Sequence, residues 1–129
     1  MNDNIFLLSI EEYEKYKERI PQINCWWWLR SKGDYSVYVA SVNYDGSICY
    51  AGDDASGNDH GVRPALKIPY SEEREIGRRL IIFDFPWITI DKDLAIAEVP
   101  IAFRRFDKKS NNYEKSEIRQ FLLDWMESR

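Results

Sequence analysis

The sequence predicts an α+β domain, built from small antiparallel sheets with two helices packed on them. Three observations carry that expectation. The run Cys25-Trp26-Trp27-Trp28-Leu29-Arg30-Ser31 puts three indoles into one strand-length segment. It lacks the polar alternation of a half-exposed strand, so residues 26–30 read as a strand buried on both faces. Near the N-terminus, Ser9-Ile10-Glu11-Glu12 has the capping-box pattern of a helix start. Near the C-terminus, Ile118, Phe121, Leu122 and Trp125 fall at i, i+3, i+4 and i+7, one apolar helical stripe.

Composition agrees. The 129 residues are 44% apolar and 31% charged, with five Trp, eight Tyr and six Phe. These are globular values, and flat rings pack well on a pleated surface. A single domain, 1–129, is expected. The formal charge of −4 argues against nucleic acid as a main partner, because phosphate binding needs an excess of Lys and Arg. No apolar run is long enough to span a bilayer, and the start, Met1-Asn2-Asp3-Asn4, is not read as a secretory leader. A cytoplasmic protein without a membrane partner is the expectation. The only cysteines, Cys25 and Cys49, are then two reduced, half-buried thiols rather than a disulfide.

Residues 5–8 form a short apolar run suited to a buried strand. The helix follows over about 10–19, with Ile10, Tyr13, Lys17 and Ile20 near one face, and Pro21 closes it. After the tryptophan strand, Lys32-Gly33-Asp34 is a turn, and residues 35–42 read as a strand. Asp45-Gly46 makes a hairpin turn and residues 47–50 return antiparallel. Residues 52–61 are too rich in Gly, Asp, Asn and Ser to be regular. Residues 62–68 read as one strand, which Pro64 places at an edge or bulge. The charged stretch 69–79 is a surface connection or short surface helix. Beyond it, 80–85, 87–90 and 94–97 make a second antiparallel set with a turn at 91–93, and 101–103 adds a further strand. Asn111-Asn112-Tyr113-Glu114 caps the last helix.

These residues resemble a known family. Phe6-Leu7-Leu8-Ser9, Trp27-Trp28-Leu29-Arg30-Ser31, the Asp45-Gly46 hairpin and Gly61-Val62-Arg63-Pro64-Ala65-Leu66 together resemble an uncharacterised domain of Gram-positive bacteria and their phages. That domain is similar to the C-type-lectin-like fold of formylglycine-generating enzymes. Phe85-Pro86-Trp87-Ile88, Leu94-Ala95-Ile96 and Ser116-Glu117-Ile118-Arg119-Gln120-Phe121-Leu122 resemble the opening part of the same family. The resemblance therefore implies a circular permutation, with family C-terminal motifs in 1–68, a linker at 69–79 and family N-terminal motifs in 80–129. It implies a monomer or a homodimer that exchanges halves. It also implies structural roles for Trp27, Trp28, Trp87 and Trp125, and for Arg30 and Arg63 as buried guanidiniums bonded to backbone carbonyls rather than as an anion clamp.

Candidate chemistry is sparse. Asp53, Asp54, Asn58 and Asp59 supply several oxygens within one loop, which makes calcium the minor alternative to having no cofactor. His60, the only histidine, reads as a loop residue rather than a general base, and a zinc site lacks ligands. No phosphate loop, nucleophile elbow or metal-binding helix motif is present. The reading is a non-catalytic binding module for a protein partner or a glycan, using exposed aromatics such as Tyr35, Tyr38, Tyr44 and Tyr50. Asp53, Asp54, Asp59 and His60 are further candidates for ligand contact. One version is an accessory or inhibitor protein from a phage or mobile element. The alternative is an enzyme of the formylglycine-generating type centred on Cys25 or Cys49.

Overall fold

The structure, a computed structural model, describes residues 2–129. The first strand, β1 (Ile5–Phe6), leads into α1 (Ile10–Tyr16), which a 3-10 turn, Lys17–Arg19, extends. The capping box is complete. Ser9 Oγ accepts the Glu12 N–H at 3.1 Å, and Glu12 Oε1 accepts the Ser9 N–H at 2.8 Å. The buried face of this helix is Tyr13, Tyr16 and Ile20; Lys17, expected on that face, is exposed because the tighter last turn swings it outward.

The strands β2 (Trp27–Lys32), β3 (Tyr38–Val42), β4 (Ile48–Asp54), β5 (Gly61–Val62) and β10 (Ala102–Phe103) form one five-stranded sheet, ordered β10-β5-β2-β3-β4. All its pairings are antiparallel except β2 with β5. The other sheet is antiparallel throughout and joins β1 to β6 (Ala65–Lys67), β9 (Leu94–Ala97), β8 (Phe85–Asp91) and β7 (Arg79–Ile82), in the order β1-β6-β9-β8-β7. With α2 (Glu117–Glu127) the architecture is α+β, two helices and two mostly antiparallel sheets. No helix of the described residues is long and apolar enough to cross a membrane.

Several sequence-based boundaries move. The single strand expected over 62–68 is two, split at Arg63-Pro64, with β5 in one sheet and β6 in the other. Proline fixes φ and lacks an N–H, so the ladder breaks there and the chain changes sheet. The turn between β7 and β8 lies at Phe83-Asp84, both at positive φ, inside the strand expected over 80–85. Ile82 and Phe85 close this two-residue hairpin, so Pro86 falls in the next, non-hydrogen-bonded pair with Ile81 and its missing N–H points away from β7. The connection at 69–79 forms no helix. It crosses the surface, held by Arg74, whose Nε donates to Lys92 O at 2.9 Å. The cap of α2 is Ser116, which accepts the Arg119 N–H; Asn112 instead caps a preceding 3-10 turn, Tyr113–Lys115.

Alternation along β2 sends successive tryptophans to opposite faces. Trp28 joins Leu66, Trp87, Phe106, Ile118 and Leu122 in one cluster, with Phe121 and Trp125 packed against it. Trp27 joins Tyr13, Leu29, Ile90 and Ile96 in the other. Each cluster draws on chain from both sides of the 69–79 connection. Trp28, and not Trp27, thus shares a cluster with Trp87 and Leu122. Each of the fully buried Trp28 and Trp87 has its indole N–H on a backbone oxygen, Arg104 O at 2.9 Å and Ile82 O at 3.0 Å respectively.

Candidate functional site

The β3–β4 hairpin builds one wall of the site. Its turn places Gly46 at φ +88°, as expected for Asp45-Gly46. Further along, the register slips: Ser41 faces Cys49 but Val39 faces Asp53, so three residues of β4 oppose one of β3. Gly52, at φ +88°, sits in this bulge with the Val39 backbone so close that a Cβ would lie 2.7 Å from its carbonyl oxygen. Bulges re-aim side chains. Here Asp53 Oδ2 accepts both the Ser41 hydroxyl and a ring contact from His60 Nε2, each at 2.9 Å. Residues 52–54, expected as irregular loop, are therefore strand, because an irregular glycine can be absorbed by a bulge without ending the ladder.

The loop after Asp54 folds on itself. Asp54 Oδ1 accepts the Ser56 N–H and hydroxyl, which holds its carboxyl below the usual range. The loop returns to β5 through His60, and Trp26 O accepts the Gly61 N–H at 2.8 Å. Trp26 and Trp28, two residues apart, present their rings to the same side, and the His60 ring stacks on both. Its centroid is 4.1 Å from Trp28 and 5.9 Å from Trp26. His60 Nδ1 lies 3.0 Å from Asp59 Oδ1, and this hydrogen bond holds Asp59 below the usual carboxylate range. His60 is only 5% exposed.

Beside this stack opens a cavity of about 380 Å³ lined by Trp26, Asn43, Asp53, Asp54, Gly57, Asp59 and His60. Tyr44 stands next to Trp26, ring centroids 5.9 Å apart. The cavity has the size of a small-ligand site. A carboxylate oxygen thus lies within hydrogen-bond distance of each ring nitrogen of His60. With both nitrogens occupied, the imidazole has no free position from which to take a substrate proton.

The predicted site residues divide. Asp53, Asp54, Asp59 and His60 converge on the cavity, and Tyr44 flanks it. His60 is not a plain loop residue but a buried ring, because stacking on two indoles repays its desolvation with packing. Tyr35 and Tyr50 are exposed but lie outside the cavity wall; Tyr50 donates to Glu14 Oε2 at 3.2 Å. Tyr38, expected to be exposed, is half-buried, since it opens β3 and packs edge-on against Tyr35 at 5.2 Å. Trp26 and Asn43 were not singled out as site residues. Trp26, expected in a strand buried on both faces, precedes β2 and is 40% exposed. Among the described residues no group of three or more His, Cys, Asp or Glu side chains is arranged to hold a metal ion.

Cys25 and Cys49 are free and half-buried. Burial pushes the Cys25 thiol up, although the Arg63 charge pulls the other way. A raised thiol is a poor nucleophile near neutral pH. Arg63 is fully buried; Nε donates to Ala97 O at 2.7 Å, Nη2 reaches Glu98 O at 3.4 Å, and the guanidinium lies over the Trp27 ring. The Arg30 side chain is 19% exposed and its Nη1 donates to Leu7 O at 2.7 Å, as expected, but the same nitrogen also meets Glu12 Oε1 at 2.5 Å. The capping-box glutamate thus doubles as its counter-ion.

Fold and cavity together define an α+β module of two five-stranded sheets carrying an open, aromatic and acidic concavity beside one of them. The chain belongs to the family described as a domain of unknown function (DUF6273), whose sequence profile matches residues 1–70. That span contains every residue lining the cavity. Comparison with curated proteins and with solved structures finds no match.

Proposed function

We propose that this chain is a non-catalytic binding module, with the cavity beside Trp26 as its recognition site. The observation that carries the reading is the pairing of an exposed indole with carboxylates already oriented by internal hydrogen bonds, around a histidine whose nitrogens are both occupied. Rigid, pre-oriented groups lower the entropic cost of binding. The enzyme alternative is weaker, because the raised Cys25 thiol favours an inert sulfhydryl. The ligand classes are a protein partner or a glycan; an accessory or inhibitor protein of bacterial or phage origin, acting in the cytoplasm, is consistent with either. Calcium and other cofactors have no role in this reading.

The fold reading goes with it. We infer a C-type-lectin-like, circularly permuted single domain, with the family's C-terminal motifs in 1–68 and its N-terminal motifs in 80–129. The mixed clusters around Trp28 and Trp27 support it, as does the Asp3–Arg119 ion pair at 2.8 Å, which ties the start of the chain to α2. Of a monomer and a homodimer that exchanges halves, we favour the monomer, because the connection at 69–79 is long enough for one chain to supply both halves of each cluster; light scattering that finds an obligate dimer would overturn this. Capture experiments from the host with wild-type protein and Trp26→Ala test the binding role. A protein or glycan retained by the first and lost by the second is the expected result. Equal retention would remove the cavity from the proposal.

A further inference from the structure

We propose that the cavity receives a basic side chain, above all an arginine guanidinium, presented by a partner protein. This rests on the binding-module reading and names its ligand chemistry. The wall contains three carboxylates, from Asp53, Asp54 and Asp59, and neither lysine nor arginine. Each carboxylate is anchored by a single oxygen: Oδ2 of Asp53, Oδ1 of Asp54 and Oδ1 of Asp59. The other oxygen of each takes no hydrogen bond from the described residues, so three fixed acceptors remain.

The aromatic edge selects among donors. Trp26 at 40% exposure and Tyr44 at 59% hold large apolar rings toward solvent at the rim. An indole face attracts a flat cation, and guanidinium adds a planar fork that matches carboxylate oxygens. Ammonium fits the charge but not the plane. A neutral sugar ring can lie on Trp26 and donate hydroxyls, yet it leaves the mutual repulsion of the carboxylates unrelieved. Charge complementarity therefore selects a cationic protein side chain over a glycan. A hard divalent ion is disfavoured because three free oxygens fall short of the six to eight that calcium takes.

The test is a nuclear magnetic resonance titration of the full chain, following the Trp26 indole N–H and the Gly57 and His60 amides. The probes are a blocked Gly-Arg-Gly-Arg-Gly peptide, the same peptide with citrulline for arginine, and an N-acetylglucosamine disaccharide. The arginine peptide should shift these signals and bind about tenfold more tightly than its citrulline counterpart, which is isosteric but uncharged. Asp54→Asn, which keeps the acceptor for Ser56, should weaken the arginine peptide roughly threefold or more, and added salt should weaken it further. Thermal melting establishes that this variant is folded. Equal binding of the two peptides, or shifts confined to other surfaces, would overturn the proposal. If the saccharide moves Trp26 and arginine does not, the cationic ligand is wrong while the binding site stands. If no probe moves it at about 10 mM, the inference fails, and the Trp26→Ala capture experiment decides the binding role separately.

Discussion

The His60 imidazole lies over the Trp28 indole with ring centroids 4.1 Å apart and planes 16° from parallel. This contact helps join the acidic loop to the core, because Trp28 is fully buried and packs edge-on against Phe106, beside the buried Ala55 of the same loop. His60→Ala should therefore do more than alter the cavity. It removes the cover from Trp28 and leaves Asp53 and Asp59 without their shared partner. A loss of about 2–3 kcal/mol is expected in denaturant melts, with tryptophan emission shifted to the red. An unchanged melt would show that the stack contributes nothing to the fold.

Gly52 is the residue that lets Asp53 reach His60. Its φ of +88° and the nearby Val39 backbone leave no room for a Cβ. Gly52→Ala should cost about 1–3 kcal/mol. It should also weaken the Asp53 contact, seen as altered chemical shifts at His60 Nε2. Substitution of Gly77 is the contrast: its φ is also positive, but nothing lies within 4 Å of an added Cβ. Gly77→Ala should cost less, and the reverse order would refute the steric argument.

Arg63 links the sheets. It sits between β5 and β6, and its donors go to Ala97 at the end of β9 and to Glu98 just beyond. Its Nη1 has no hydrogen-bond partner among the described residues. Arg63→Met retains much of the packing against Trp27 but orphans the Ala97 carbonyl, so about 1–3 kcal/mol should be lost. Arg63→Ala adds a cavity and should cost about 3–5 kcal/mol. Equal effects in equilibrium unfolding would mean that the guanidinium stem contributes no packing.

Alkaline pH should destabilise the protein. Burial pushes the Tyr113 hydroxyl up to about 12, from the 10.0 of a free tyrosine. Between those values the folded chain holds a proton that the unfolded chain has lost, so stability falls as pH rises. Burial also raises Tyr13, Tyr16 and Cys25, with the same sign. Arg63 opposes them: burial lowers its guanidinium to about 10, and stability gains as the unfolded chain alone stays protonated above that. Three phenols and a thiol against one guanidinium give a net loss. Urea melts at pH 9 to 12 should show this decline, and Tyr113→Phe should make it shallower. A curve of equal steepness in the variant would exclude Tyr113 as a source.

Local patterns made much of the fold readable. Ser9 and Glu12 mark the start of α1 because a capping box needs only neighbours in sequence. Asp45-Gly46 marks its hairpin because the positive φ that the turn takes at Gly46 is a property of glycine itself. The stripe of Ile118, Phe121, Leu122 and Trp125 marks α2 for the same kind of reason: helical spacing alone puts them on one side. Local pattern does not reach features that distant chain decides. Arg63-Pro64 could be read as a bulge, but not as a crossing between sheets, since that depends on where β9 and β2 lie. Arg30 could be read as buried, but its Glu12 partner lies eighteen residues away.

The acidic loop was readable as a group of oxygens, yet its cavity was not. Asp53, Asp54, Asp59 and His60 are neighbours in sequence, which made them candidates. What they do there depends on Trp26 and Trp28, brought beneath them by the β2–β5 pairing. The types of element and the aromatic core are written in local pattern, because propensity, capping and periodicity act over a few residues. Which tryptophan is exposed, which carboxylate oxygens stay unpaired and where the concavity opens are set by the folded chain. Those follow from strand register and from packing between distant segments.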